Sequence, residues 1–388
     1  MGGSNQTINK KKRRKIEIYE SYWKFTAALT DIYGTKFKNA LNVIVNFIDQ
    51  NKIELVENAQ KDNNFNKSPL YKELQSSIVE MLDFKGKDAS LSARKVINLF
   101  VKIGFIYPFL VGYHPLVKKF LMATSDEEKK IIYSKIFYEN ASLASGTTID
   151  NSQLKHIKFF LQTLDYNKTL TNNDLTALMV TDITKYKKGY LTREQLDEQY
   201  RYAKVNKFEN RKYNQISHLI SYLKNFVDLK YDKENGQFWF ADDPSIAGKE
   251  FDRTYPRNNI KHRIFKQELK EEAKSIYGDI VCFLDKKPYK VLVASHIKPY
   301  KQCMKEGRED QAYNPNNGLL LNQTVDSYFD KFEITFSDTG DIIISKNVAE
   351  LIKNEWINYK LDDEIMNDER KKYMEYHRKI FMEKNGEK

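Results

Sequence analysis

A chain of 388 residues can carry two or three domains with a sizeable core, and 41% hydrophobic with 30% charged residues is an ordinary globular balance. No apolar run reaches the ~18 residues of a membrane helix, the start lacks the apolar stretch of a signal peptide, and two cysteines, Cys282 and Cys303, exclude a disulfide framework or a Cys-x-x-Cys zinc knuckle, so a reducing cytoplasm is expected with no membrane partner. The net charge of +11 favours a polyanionic partner, nucleic acid before an anionic surface, although a Lys-rich background would give the same charge with no partner at all.

In chain order, Lys10 to Lys15 is a six-residue basic run. It reads either as an arm on phosphates or as a solvated helix start. Residues 16–60 read as helical on the apolar positions Ile18, Trp23, Phe25, Leu29, Ile32 and Phe37, and residues 61–67 as a polar loop. Ser68-Pro69 starts a helix carrying Leu70, Leu74, Ile78, Met81 and Leu82. Gly86 breaks it. Ser90 opens a second helix with an apolar stripe from Leu91 to Ile103, Gly104 ends that helix, and Phe105 to Tyr113 reads as a short β-prone run. Helix, break, helix and short strand over 68–150 is how a winged-helix module reads. Arg94 and Lys95, on the polar face of the second helix, are candidates for DNA contact.

The same grammar returns over 151–245. Leu170 to Leu175 and Leu191 to Leu196 open helices with capping residues. A third helix shows Ile216, Leu219, Ile220 and Leu223 on one face, with Arg211, Lys212, Asn214, Gln215 and His218 on the others. Arg, Asn and Gln reach base edges, so these five are the candidate DNA-reading residues. Asn235-Gly236, between two β-prone runs, is a hairpin signal and the expected wing. The polar stretch 246–262, with Arg253, Arg257, Lys261 and His262, reads as a basic linker able to follow a phosphate backbone. Plain helix packing with solvated polar faces would give the same patterns in both modules.

The last third, 263–388, carries the chemistry. A helix from Ile264 to Tyr277 leads to two strand-like runs, Ile280 to Leu284 and Tyr289 to Ile297, and the second ends at His296. Asn317-Gly318 tightens the chain, and a helix over Thr324 to Phe332 carries Asp326 and Asp330, four apart and so on one face. Ile334 to Phe336 and Ile342 to Ile344 form a closing hairpin, and a helical tail runs to about residue 383. Cleaving a phosphodiester needs a base that works near neutral pH, which suits the imidazole of His296. It also needs a group that holds the ring, for which Asn317 or a nearby carbonyl would serve, and oxygen ligands for a hard metal.

The order Ala294-Ser295-His296-Ile297-Lys298-Pro299-Tyr300, then Asn317-Gly318-Leu319-Leu320-Leu321, then Asp326 and Phe329-Asp330, resembles the H-N-H nucleases with the ββα-metal fold, in the form found in bacterial Type II restriction endonucleases. The resemblance implies His296 as general base, Asn317 as the central asparagine, Asp326 as a metal ligand in place of the last histidine, and Asp330 as a further ligand. Ser295 stands where many members place a metal-binding Asp or His. An all-oxygen set favours Mg²⁺, with Mn²⁺ as substitute, over Zn²⁺. Lys298 and Lys301 either hold phosphate or are merely exposed.

The fold class implied is α+β: a mainly helical N-terminal half with winged-helix-like modules, ahead of a ββα-metal nuclease domain. The function implied is sequence-specific cleavage of double-stranded DNA, possibly away from the recognition site. Homodimerisation would supply two cutting sites, and a cognate DNA methyltransferase would be a host partner. A modification-dependent nuclease, a homing or phage-defence nuclease and a non-cleaving DNA-binding regulator fit the same sequence.

Overall fold

Apolar residues do build helices in the first half, and among the described residues the first begins at Thr35. The computed structural model describes residues 22–61, 65–241 and 257–386. The basic run Lys10 to Lys15 and residues 246–256 of the expected 246–262 linker lie outside the described residues. Residues 22–34 are extended, not helical. Trp23, Phe25, Ala27 and Leu29 are buried while Lys24, Thr26, Ala28 and Thr30 are exposed. That is the two-residue alternation of an extended segment, and it overturns the part of the expected helix that falls on residues 22–34.

Helices then follow in order: α1 (Thr35–Gln50), α2 (Lys52–Lys61), α3 (Pro69–Met81), α4 (Ala89–Lys102), α5 (Leu116–Met122), α6 (Asp126–Asn140) and α7 (His156–Asn167). Ser68 caps α3 by accepting from the Tyr71 amide, with Pro69 at the first helical position, as its sequence predicts. α3 packs on α4, but the β-prone run after them is a tight loop closed by a single bridge between Ile106 and Tyr113. The expected short strand is absent there because Phe109 and Leu110 both turn with φ of +58°.

From residue 169 the order is β1 (Thr169–Thr171), α8 (Asn172–Met179), α9 (Arg193–Val205), α10 (Phe208–Leu223), β2 (Leu229–Asp232) and β3 (Gln237–Phe240). Thr171 and Thr192 each form a capping box that starts its helix. The three strands form an antiparallel sheet in the order β1-β3-β2, with Phe238 opposite both Leu170 and Tyr231. The hairpin expected around Asn235-Gly236 is the β2–β3 connection.

Helix α11 (Asn259–Tyr277) starts inside the expected linker. Asn258 caps it by accepting from the Ile260 and Lys261 amides, and its Nδ2 donates to the Tyr138 hydroxyl on α6. Lys261 pairs with Glu139 and Glu309, while Arg263 pairs with Asp228 and donates to the Ala241 carbonyl. Residues 258–262 are therefore a docked helix start and not a linker tracking DNA. Two hydrophobic cores meet on this helix. Ile260 and Ile264 close the core of the N-terminal half, and Phe265, Leu269 and Ala273 open that of the C-terminal module.

The module continues with β4 (Leu292–His296), α12 (Tyr300–Lys305), α13 (Glu309–Ala312), β5 (Gly318–Asn322), α14 (Gln323–Asp330), β6 (Ile334–Phe336), β7 (Ile342–Ile344), α15 (Glu350–Trp356) and α16 (Asp368–Asn385). β4 and β5 pair antiparallel, setting Val293 opposite Leu321 and His296 opposite Gly318. The strand expected over Ile280 to Leu284 is a turn. Cys282 accepts from the Lys286 amide, and Phe283 alone reaches the sheet, donating to the Leu320 carbonyl. The mixed helix and sheet content is that of an α+β chain.

Candidate active site

His296 closes β4, a strand buried along its whole length. Its ring stacks on Phe265 of α11 at 4.9 Å and lies 6.1 Å from His262 and 6.0 Å from Tyr300. The residue is 9% exposed, so the imidazole sits in a slot walled by aromatic rings and opens only narrowly to solvent. Nε2 lies 2.9 Å from the Ala312 carbonyl. A carbonyl only accepts, so Nε2 carries the hydrogen, and in the neutral ring Nδ1 carries the lone pair.

The peptide next to that carbonyl is held by Asn317, which is fully buried. The Asn317 Oδ1 accepts from the Lys298 amide at 2.7 Å. Its Nδ2 donates to the Lys298 carbonyl and to the Gln311 carbonyl, both at 3.0 Å. The Ile297 amide donates to the Asn317 carbonyl as well. One side chain thus ties the chain just beyond His296 to the peptide just before Ala312. Of the two groups the sequence offers for holding the ring, Asn317 or a nearby carbonyl, the Ala312 carbonyl is the one in contact with the imidazole, and the Asn317 side chain bonds the neighbouring backbone.

Asp326 and Asp330 lie on α14, which packs against β4. Asp326 is half-buried and Asp330 exposed. Ser295 points away from His296 by strand alternation. It is 3% exposed, and its Oγ has no hydrogen-bond partner among the described residues. Arg257 joins this neighbourhood. Its guanidinium lies over the Tyr300 ring at 5.5 Å. Burial pulls its pKa below the ordinary arginine value, while Tyr313, Tyr300, Asp330 and Asp326 pull it back up. Sequence reading assigns Arg257 to the linker; its place directly before the helix cap Asn258 is the signal that fixes it here.

Among the described residues, no three His, Cys, Asp or Glu side chains gather closely enough to hold a metal by themselves. The oxygen donors that the sequence offers are the Asp326 carboxylate, the more exposed Asp330 one turn along α14, and the Ser295 hydroxyl on the strand face away from His296. Such an incomplete oxygen set suits a hard divalent cation that keeps several waters and takes further oxygens from a phosphate.

Residues 280–337 match the family model of HNH endonucleases. This segment is an HNH nuclease domain. No curated protein matches the chain. The HNH match covers β4, the Asn317 loop, β5, α14 and β6, and so includes His296, Asn317, Asp326 and Asp330. The match supports a hydrolase of the nuclease class and implies DNA as substrate of this domain. α11 and α16 lie outside the match, yet both pack on the HNH segment. Among the described residues, no helix is long and apolar enough to cross a membrane.

The candidate DNA contacts are scattered. Lys298 is mostly buried, pairs with Glu306 and Gln311, and lies over the Tyr376 ring, whereas Lys301 is exposed. Arg94 and Lys95 are exposed on α4, and Arg211 and Asn214 on α10. Lys212 lies 4.9 Å over the Tyr22 ring. Gln215 accepts from the Phe25 amide and donates to the Tyr22 hydroxyl, and His218 Nδ1 accepts from the Ala27 amide. Those side chains hold the extended N-terminal segment against α10.

Proposed function

We propose that the protein is a sequence-specific double-stranded DNA endonuclease of the Type II restriction class. One observation carries the catalytic part: the imidazole of His296 is oriented by the Ala312 carbonyl at 2.9 Å so that its lone pair resides on Nδ1. That nitrogen removes a proton from water as the oxygen attacks phosphorus. Asn317 keeps the orienting carbonyl and the end of β4 in register. Asp326, with Ser295 and Asp330 beside it in the donor set, would hold Mg²⁺, or Mn²⁺ in its place. The ion, when bound, supplies charge neutralisation at the phosphate and the departing 3′-oxygen. The narrow aromatic slot keeps the His296 ring from rotating.

The helical half is assigned to recognition, since a small HNH module offers little surface for reading bases. The β1-β3-β2 sheet with α7, α8 and α9 supports a winged-helix reading of residues 151–245. Reading and cutting rest on separate cores, which supports a cut displaced from the recognition site; a footprint coincident with the cut overturns that part. Each HNH site cuts one strand, so double-strand cleavage calls for a homodimer on DNA, and a cognate methyltransferase protects the host.

The test is cleavage of unmethylated and fully methylated phage DNA with Mg²⁺, beside His296→Ala. Discrete fragments from unmethylated DNA only, lost by about 10²–10⁴-fold in His296→Ala while specific binding persists, are the expected result. Fragments from methylated DNA only would establish a modification-dependent nuclease. Binding with no cleavage in either would establish a regulator.

A further inference from the structure

We infer that Arg370 of α16, outside the HNH match, is a positioning residue of the cutting site and that the nuclease centre extends through the C-terminal helix. The inference rests on the assignment of His296 as the base. Arg370 is an arginine with no exposed surface, held at 0%. A charge in that position needs a strong reason, because removing a guanidinium from water is costly unless every donor is matched.

Its donors are matched in a telling pattern. Nε donates to the Gly318 carbonyl at 3.1 Å and Nη2 to the Pro315 carbonyl at 3.2 Å. These two carbonyls flank Asn317 on either side. Nη1 also donates to the Ile365 carbonyl at the approach to α16. Glu272 of α11 receives Nη1 and Nη2 as a bidentate pair at 2.9 and 2.8 Å. The planar guanidinium therefore pins the 315–318 turn between two helices, α11 and α16, that lie outside the family match.

Neighbouring contacts reinforce the turn. Asn367, which caps α16, donates to Asn316 Oδ1 at 2.9 Å. Glu369 accepts from Asn314 at 2.6 Å and from Asn316 at 2.8 Å. Gly318 is also the register partner of His296. A Cβ at Gly318 would stand 2.5 Å from Phe265, so the backbone there is pressed against the ring that stacks on His296. The path of constraint runs from Glu272 through Arg370 to the turn, then through the Asn317 side chain to Gln311, and from the adjacent Ala312 carbonyl to His296. Arg370 touches neither the base nor the phosphate; it sets where Asn317 stands.

Lysine at 370 keeps the charge but cannot span two carbonyls and a bidentate carboxylate. Arg370→Lys, assayed as the full chain with Mg²⁺ and cleavable DNA, is expected to lower kcat per folded molecule by roughly 10²-fold, the scale of a small misplacement of a catalytic group, with KM for DNA unchanged. Thermal unfolding reports the folded fraction. A purely structural role would lower the folded fraction and leave kcat per folded molecule intact, and that outcome overturns the inference. If Arg370→Lys does not fold, Glu272→Gln decides: a fall in kcat at unchanged KM supports the anchor, and wild-type kcat overturns it. His296→Ala in the same assay separates the two readings. Inactive His296→Ala beside fully active Arg370→Lys sinks only the role of Arg370; active His296→Ala sinks the assignment of the base.

Discussion

Two side-chain amides do the same work in opposite ways. Asn317 bonds backbone groups 6 and 19 residues away and sits within the stretch that forms β4, the loop and β5. Gln215 bonds groups 190 and 193 residues away, in a segment it meets only after the whole helical half has formed. Both hold backbone outside their own element in place. The short-range clamp shapes the proposed reaction site, whereas the long-range one closes a fold. A polar residue on a helix face serves whatever segment of the chain lies over that face, near or distant in sequence.

The largest effect expected from perturbing this pair is at the short-range clamp. Asn317→Ala leaves the Lys298 amide without its partner and takes one donor each from the Lys298 and Gln311 carbonyls, which keep the Cys303 thiol and the Asn314 amide. At about 1–3 kcal/mol for a buried group left unpaired, denaturant unfolding should show a loss of that size, and cleavage should fall even in the fraction that stays folded. Full cleavage by a folded Asn317→Ala would break the comparison, because the clamp would then be structural only.

An intermediate effect comes from two buried histidines, one in each core. Burial, first of all, depresses His156 from 6.5 to about 4 and His377 from 6.5 to about 3. Both are neutral in the folded chain and protonate more readily once unfolded. Their contribution is therefore complete above about 6.5 and is lost as the pH falls toward 4 and then 3. Melting temperature followed from pH 7 downward should decline through that window. His156→Asn should flatten the decline attributable to the N-terminal core, and His377→Asn that of the C-terminal core. A pH profile unchanged by either substitution would show that neither imidazole stays neutral in the fold.

The smallest effects separate stability from recognition on α10. Gln215→Ala should cost about 1–3 kcal/mol of stability through the unpaired Phe25 amide and leave DNA affinity untouched per folded molecule. Asn214→Ala, at an exposed position, should do the reverse if α10 reads bases, weakening specific binding by about 1–3 kcal/mol. Should both leave binding intact, α9 or the β2–β3 hairpin becomes the surface to test.

Local chemistry made the nuclease centre legible. The β6–β7 hairpin falls at the residues expected, β4 ends at His296, and α14 carries both aspartates. Strand register and a tight Asn-Gly turn leave few ways to arrange those residues, so spacing alone conveys much of the geometry. Legibility failed where distant partners decide. Trp23, Phe25, Ala27 and Leu29 alternate strictly, yet their mixed apolar content also fits a helical reading, and only the covering α10 selects the extended form. The docked start of α11 escaped because Asn258, Lys261 and Arg263 read as polar linker until Tyr138, Glu139 and Asp228 stand beside them. Arg370 escaped for the same reason. Nothing near it in sequence announces a buried charge, and its partners Glu272, Pro315 and Gly318 come from two other places in the chain.

The extended segment at 22–34 has a consequence for how the chain is made. Its backbone is held by Met179 through the Trp23 amide, by Gln215 and His218, and by the Tyr222 hydroxyl on the Leu29 carbonyl. During synthesis at about 5–20 residues per second, roughly 10–40 s pass between the appearance of Trp23 and that of Tyr222. Throughout that interval an aromatic, alternating stretch, itself a suitable pairing strand, waits without the helix that covers it. Nascent chains stalled before Phe208 should bind a holdase chaperone through this stretch, and chains stalled well beyond Leu223 should release it.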